Sequence, residues 1–279
     1  MKIAVCFKVV PDFDQVVEAD WNDFSLSTGL GYVKRIFGCF DESALETALR
    51  LRSAWEEQGE KTECTAITAA PLPSPLCKTL FAAGFDRVVD LSGVVSAQCQ
   101  PPLEFPEFQG RRIAAVLGSR LGSAGYDLIL AGREAGWADT GAVPLLLAEI
   151  LGIPVITGAG EIAPCAGGVE VIRTNNAGRE RLRARLPLLV TLGNGPAAAL
   201  RAVTLGERMA ASRREAEKPA AAGSGGKAPG ITGEAAGSFQ TLRFHREEGR
   251  KTCRFLPGGA ALAQSAAKVR SEYLGDVEQ

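Results

Sequence analysis

Short apolar runs alternate with amphipathic stretches along the first three quarters of the chain, and this pattern predicts its fold. Fully buried parallel strands are typically short and continuously apolar, whereas helices repeat apolar positions at a spacing of three and four. The strands predicted in this way are residues 2–9, 64–70, 88–91, 127–131, 155–159 and 188–192. The helices predicted between them are residues 41–58, 76–83, 111–121 and 143–151. This alternation favours an α/β fold with a doubly wound, mostly parallel sheet, whose ligands bind beyond the carboxyl ends of the strands.

Three further segments complete this prediction. Residues 92–109 contain several prolines, which predicts a surface excursion. Residues 169–173 and 179–186 alternate apolar and polar positions, which predicts an antiparallel hairpin. Residues 188–192 are then expected to close the sheet.

The composition changes near residue 215. The sequence becomes rich in Ala, Gly and Pro, which cannot build a core, so residues 215–239 are predicted to be a flexible linker. The α/β domain would then span residues 1–214. Residues 240–279 would form an arm, because a narrow apolar stripe recurs along a predicted final helix. We expect such an arm to dock on a partner subunit, with its own domain as the alternative.

A glycine-bounded loop, residues 132–141, joins the strand at 127–131 to the helix at 143–151. A strand, loop and helix in this order direct backbone N–H groups towards an anion at the helix N-terminus, so the loop is the predicted nucleotide site. Two other interpretations stay open. Asp139 and Thr140 are also common helix caps, and Arg133 and Glu134 could form a solvated surface pair.

Charge and composition exclude several classes of function. The net charge of −1 gives no broad basic field, so nucleic acid is a poor candidate partner. No apolar run reaches the roughly 18–20 residues that a membrane span needs. Seven dispersed cysteines and one histidine offer no metal-binding pattern and suit a reducing compartment, so we expect the cytoplasm. No nucleophile motif of a hydrolase is present.

Five sequence motifs, in the same order, resemble the β (small) subunit of the electron-transfer flavoproteins. They are MKIAVCFKVVPD at the start, FDESALETALRL from residue 40, AAGFDR from residue 82, the loop at 132–141 with LAE at 147–149, and the segment 183–190. The likeness covers residues 1 to about 210. It identifies the chain as a divergent, bacterial-type member of that family with a Rossmann-like fold.

The resemblance implies an electron carrier subunit rather than a catalyst with its own substrate. Members of the family pair with an α subunit, accept electrons from a dehydrogenase and pass them to a quinone-linked or other acceptor. The working FAD is shared with the α subunit, and the β subunit binds AMP or a second FAD. The cofactor contacts that the motifs imply are Cys6, Phe13, Gly38, Cys39, Phe40, Asp41, Ala69, Gly132, Arg133, Glu134, Ala135, Asp139, Thr140 and Gly141. From the residues alone, the preferred interpretation is a packing role for Cys6 and a core or turn aromatic for Phe13.

The resemblance also implies a partner-docking loop at Leu192, Gly193, Asn194, Gly195 and Pro196. The family's arginine is replaced here by Ala197, which indicates a different electron donor. Leu192 is either the apolar anchor of this loop or the buried end of the last strand, and the sequence leaves both open. An alternative function on the same fold is a free-standing adenine-nucleotide-binding sensor or regulatory module.

Overall fold

A computed structural model describes residues 1–16, 32–98, 110–135, 140–175, 178–193 and 195–220. These residues belong to the first of two units into which the chain divides, Met1–Ser238 and Phe239–Gln279. The predicted arm at 240–279 lies outside the described residues, as do Asp139 and Asn194.

An eight-stranded sheet organises the described residues. Its strands are β1 (Lys2–Phe7), β4 (Glu63–Thr68), β5 (Arg87–Asp90), β6 (Leu128–Gly132), β7 (Val155–Cys165), β8 (Gly168–Asn175), β9 (Gly178–Arg185) and β10 (Leu188–Leu192). A separate antiparallel pair is formed by β2 (Val9–Pro11) and β3 (Arg35–Phe37). The order in the large sheet is β5-β4-β1-β6-β10-β7-β8-β9. Neighbouring strands are parallel in the part of the sheet made of β5, β4, β1, β6, β10 and β7. Strands β8 and β9 extend this part with antiparallel pairing.

Helices cover both faces of the sheet. They are α1 (Cys39–Glu57), α2 (Ser74–Ala83), α3 (Ser92–Gln98), α4 (Gly110–Gly122), α5 (Ala142–Leu151) and the short α6 (Leu205–Ala211). Buried side chains of α1 and α2 share one core cluster with one face of the sheet. Those of α3, α4 and α5 share a second cluster with the other face. The predicted doubly wound, mostly parallel α/β fold is therefore confirmed. None of the described helices is long and apolar enough to span a membrane.

Helix α1 forms where the sequence pattern predicts it. Ala44, Leu45, Ala48 and Leu49 recur at helical spacing, and each is completely buried. Asp41 in the first turn adds a negative charge where the helix dipole favours one. The result is a long, rigid helix that packs across the middle of the sheet.

One prediction about element positions is incomplete and another is wrong. Residues 92–98 of the predicted surface excursion form the helix α3, because the Asp90 carboxylate accepts the Ser92 N–H at 2.9 Å and Val95 is buried. Residues 99–109 of that excursion lie outside the described residues. Strand β10 does not close the sheet, because it lies between β6 and β7. The edge is formed instead by β9, the second strand of the predicted hairpin, which is present as β8 and β9.

The ordered chain continues past residue 214, where the linker was expected to begin. The Glu217 N–H donates to the Val88 carbonyl at 2.8 Å, and the Glu217 carbonyl accepts the Asp90 N–H at 2.9 Å. The Glu217 carboxylate also receives two hydrogen bonds of 2.7 Å from Arg87. Backbone pairing and an ion pair thus hold this segment on β5, which a composition argument does not detect.

Candidate functional site

A cavity of about 420 Å³ opens at the carboxyl ends of β1, β4 and β6. Strand order reverses here, because the chain runs outward from β1 to β4 and β5 and then returns to the other side of β1 as β6. This switch point is where doubly wound sheets bind their ligands. The volume also lies within the usual range of small-molecule sites, about 300–1,000 Å³.

The structure brings most of the predicted cofactor residues to this cavity. Those that line it are Cys6, Asp41, Ala69, Gly132, Arg133, Glu134, Ala135, Thr140 and Gly141. Helices α3 and α4 supply a further wall that the sequence interpretation missed, including Val95, Ile113 and Leu117. Val95 was missed because residues 92–109 were expected to be a surface excursion, whereas the helix of Ile113 and Leu117 was predicted but not assigned to the site.

Asp41 joins the two strands that meet at the switch point. Its side chain is 5% exposed, and one carboxylate oxygen accepts the Lys8 N–H at 3.0 Å beyond the end of β1. The other oxygen accepts the Gly132 N–H at 3.2 Å at the end of β6. Hydrogen bonds to a charged acceptor are stronger than those between neutral groups, so Asp41 fixes the cavity floor.

Gly132 is required by this arrangement. A Cβ at Gly132 would lie 2.6 Å from an Asp41 carboxylate oxygen and 2.9 Å from the Phe40 carbonyl carbon. The end of β6 can therefore approach the first turn of α1 only without a side chain. Gly132 acts here as a close-packing residue, so a bulky substitution would disturb the floor itself.

The N-terminus of α5 points towards the same space. Ala142, Val143 and Pro144 line the cavity in the first turn of this helix. Gly141 precedes them in the left-handed conformation, with φ of 60°, and brings no side-chain acceptor to their N–H groups. The Thr140 hydroxyl lies 3.4 Å from the Ala142 nitrogen, a long contact that gives some support to the capping interpretation.

Charged groups of both signs border the cavity. The Arg133 guanidinium lies 4.6 Å from the centre of the Phe40 ring and 3.2 Å from the Glu134 carboxylate. Arg133 and Glu134 are each more than 40% exposed, so the ion pair itself adds little stability. The Arg133–Glu134 contact has the geometry of the predicted surface pair. Both side chains also line the rim of the cavity.

Cys6 lies at the end of β1 and is almost fully buried. Burial, with a smaller effect of the Asp41 charge, raises the pKa of its thiol to about 12. The thiol is therefore neutral and unreactive near neutral pH, as expected for a packing residue that also lines the cavity.

Four predicted cofactor contacts do not line the cavity. Phe13 lies in a short 3₁₀ turn, Phe13–Gln15, after β2. Gly38 precedes α1 as its N-cap, and Cys39 is exposed at the first position of that helix. Phe40 contributes indirectly, because its ring supports Arg133.

The predicted docking loop begins inside the core. Leu192 is the last residue of β10, pairs with Gly132 and is 1% exposed, so its placement agrees with the core alternative. Gly193 is also buried, and its N–H donates to the Ala159 carbonyl at 2.8 Å. Pro196 is exposed. In this arrangement the Leu192 side chain is not available as an anchor.

Exposed apolar side chains occur instead on α6. Leu205 is 75% exposed and Met209 is 68% exposed, one helical turn apart. The Thr204 hydroxyl accepts the Glu207 N–H, and the Glu207 carboxylate accepts the Thr204 N–H at 2.6 Å, which forms a capping box. The sequence signal for this helix was the Thr-x-x-Glu pattern at 204–207, which the sequence interpretation did not use.

The segment before α6 is fixed to α1. Glu46 is 4% exposed and accepts hydrogen bonds from the Arg201 backbone N–H at 3.1 Å and from its guanidinium at 3.0 and 3.2 Å. Burial alone would raise the pKa of Glu46, but hydrogen bonds from Arg201 and Arg50 outweigh it and lower the pKa below 4.5. Burial raises the pKa of the neighbouring Glu42, and a hydrogen bond from Leu200 partly opposes that shift.

The described residues of the cavity suit an organic anion. No group of three or more His, Cys, Asp or Glu in the described part of the chain could hold a metal ion, and the five cysteines of that part are free thiols. The cavity combines an apolar wall from Val95, Ile113 and Leu117 with the N–H groups at the start of α5. This donor set fits the flat base and the phosphate of an adenine nucleotide.

Comparison with known proteins places the chain in a family. The electron transfer flavoprotein domain matches residues 32–224. An acryloyl-CoA reductase electron transfer subunit gamma from Anaerotignum propionicum is 31% identical over 209 residues, covering 74% of this chain and 72% of that protein. The electron transfer flavoprotein subunit beta of Megasphaera elsdenii is 30% identical over 193 residues, covering 68% of each chain. A candidate electron transfer flavoprotein subunit of Escherichia coli, YgcR, is 24% identical over 285 residues and 98% of each chain. The chain is therefore a distant β-type member of the electron transfer flavoprotein family.

Proposed function

We propose that this protein is the small (β) subunit of a heterodimeric electron transfer flavoprotein. In this role it binds AMP or FAD in the cavity at the β1–β6 switch point and, with an α subunit, encloses a shared FAD. The complex carries electrons from a dehydrogenase to a quinone-linked or other acceptor. The observation that carries the proposal is the cavity itself, whose helix N-terminus and apolar wall lie on the fold of this family.

The residues of this chain would supply binding and orientation, whereas a bound flavin supplies the redox chemistry. The Val143 and Leu145 N–H groups in the first turn of α5 would bind a phosphate, since the dipole of that helix favours a negative charge there. Arg133 would add positive charge at the rim. Asp41 also lines the cavity, but its carboxylate already accepts hydrogen bonds from the Lys8 and Gly132 N–H groups.

Substitution of Thr140 tests the phosphate site with a matched pair of variants. Thr140 is exposed at the cavity rim and precedes α5. Thr140→Asp adds a negative charge that would repel a phosphate but stabilise the helix N-terminus, so folding should be preserved. Thr140→Asn has nearly the same shape without the charge. We expect the Asp variant to lose most of the nucleotide that co-purifies with the protein and the Asn variant to retain it.

The nucleotide would be released by denaturation and identified by chromatography and mass spectrometry. Equal nucleotide content in the two variants, at wild-type level, would place the phosphate elsewhere. The same analysis separates AMP from FAD.

Co-purification of a partner subunit tests the alternative of a free-standing sensor. A β subunit purified from its native source should carry a second, larger subunit and the yellow colour of flavin. A colourless monomer that binds ATP would favour the sensor instead.

We also propose that docking of the electron donor uses α6 together with the exposed Pro196. Leu205 and Met209 present an apolar surface that Leu192 cannot provide. We expect the complex to work in the cytoplasm, where the free thiols of the described cysteines would stay reduced.

A further inference from the structure

The edge strand β9 carries a row of arginines on one face. Strand positions alternate between faces, so Arg179, Arg181, Arg183 and Arg185 all project from the same side of the sheet, and all four are exposed. Alternate residues of a strand stand about 7 Å apart. The row therefore presents four guanidinium groups at regular intervals along the whole strand.

Acidic neighbours balance this row only in part. Glu161 on β7 pairs with Arg179 at 2.9 Å, and Glu170 on β8 lies 3.6 Å from Arg181 and 3.1 Å from Arg183. The residue opposite Arg185 on β8 is Gly168. Among the residues that the structure describes, two carboxylates therefore face four guanidinium groups, which leaves an excess positive charge along β9 in a chain whose net charge is −1.

The backbone of β9 offers a second, independent feature. Within the described part of the chain β9 pairs with β8 on one side and ends the sheet on the other. An edge strand presents unpaired N–H and C=O groups that can pair with another strand. The face opposite the arginines carries the half-buried Leu182 and Ala184.

We propose that β9 is an interaction surface for an extended acidic segment of another polypeptide, which would add to the sheet as a ninth strand. Its acidic side chains would alternate with apolar ones. The acids would face the arginine row, and the apolar side chains would extend the surface of Leu182 and Ala184. In strand addition of this kind, backbone hydrogen bonds provide the affinity and alternate side chains provide the specificity.

A second copy of this chain does not fit the same edge. Two β9 strands side by side would bring their arginine rows together, and like charges on neighbouring strands are destabilising. The row thus discourages self-association at the edge while favouring a partner of opposite charge. This inference is independent of the nucleotide cavity.

A fluorescent peptide of the same length as β9, with alternating Glu and Val, tests the proposal on the full-length protein. Binding would be followed by fluorescence anisotropy at low and high salt. A peptide of identical composition with its Glu residues grouped at one end is the control for strand register. The double variant Arg181→Glu with Arg183→Glu reverses the centre of the row, and Arg111→Glu with Arg112→Glu makes the same charge change on α4.

We expect the alternating peptide to bind in a salt-dependent manner and more tightly than the grouped peptide. The β9 double variant should weaken binding by about tenfold or more, and the α4 double variant should leave it nearly unchanged. Equal binding of both peptides would show general charge attraction and overturn strand addition. Equal loss in both double variants, or no binding at all, would also overturn the proposal. A single-stranded oligonucleotide that displaced the peptide and bound more tightly would identify a nucleic acid as the partner instead.

Discussion

Asp41 supports the strongest stability prediction, because one buried carboxylate satisfies two backbone donors from distant strands. Replacing Asp41 with alanine would leave the Lys8 and Gly132 N–H groups without their acceptor in a site where Asp41 is only 5% exposed. Each buried donor left unsatisfied costs about 1–3 kcal/mol. The free energy of unfolding of Asp41→Ala should therefore fall by about 2–6 kcal/mol. This is a large part of the 5–15 kcal/mol that typical proteins have.

Asp127 provides a matched control. Its carboxylate accepts the Lys2 N–H at 2.7 Å at the opposite end of the sheet, but this contact is exposed. Water can replace the carboxylate there, so Asp127→Ala should cost less than about 1 kcal/mol. Asp41→Asn should lie between the two, because its amide keeps one oxygen acceptor but turns a donor towards the second N–H.

Urea unfolding followed by circular dichroism measures all three variants. If Asp41→Ala cannot be purified in a folded form, the unfolding midpoint of Asp41→Asn is compared with that of Asp127→Ala instead. An Asp41 variant that unfolds at the same urea concentration as the Asp127 variant would refute the view that this carboxylate joins β1 to β6.

Three further predictions follow, two from buried contacts and one from the exposed surface of α6. Because the pKa of Glu46 is lower in the folded protein than its ordinary value of 4.5, its ion pairs add stability near neutral pH that is lost as the pH falls through the folded-state pKa. Glu46→Gln should therefore be less stable than wild type near neutral pH in urea titrations, and the difference should shrink in acid. Leu192→Ala should lower the free energy of unfolding by about 2–5 kcal/mol. Leu205→Ala should leave the unfolding midpoint unchanged and slow reduction by the native electron donor, whereas the reverse pattern would return the anchor to Leu192.

Elements that depend on local patterns were predictable from the sequence. Buried parallel strands such as β1 and β6 are continuous apolar runs, and α1 repeats its apolar positions at helical spacing. The glycine-bounded loop at 132–141 also placed the cavity at the correct edge of the sheet. The local sequence contains the information in each of these cases.

Long-range contacts and ambiguous side chains explain what was not predictable. Asp41 contacts Gly132 across 91 residues of sequence, and Glu46 contacts Arg201 across 155. No local pattern indicates either partner. Leu192 is apolar, and an apolar residue suits both a buried strand end and an exposed anchor. Only the position of its strand, β10, between β6 and β7 distinguishes the two.

The two halves of the proposed function share a single support, helix α1. Asp41 in its first turn holds the cavity floor, and Glu46, five residues later, holds the segment that leads to α6. With about 3.6 residues per turn, these side chains leave the helix about 140° apart, so they act on different neighbours. A substitution of Glu46 should therefore loosen the segment before α6 and leave the cavity unchanged. A substitution of Asp41 should disturb the cavity and leave that segment unchanged. Helix α1 packs across the middle of the sheet, so one element supports both the cavity and the segment that leads to α6.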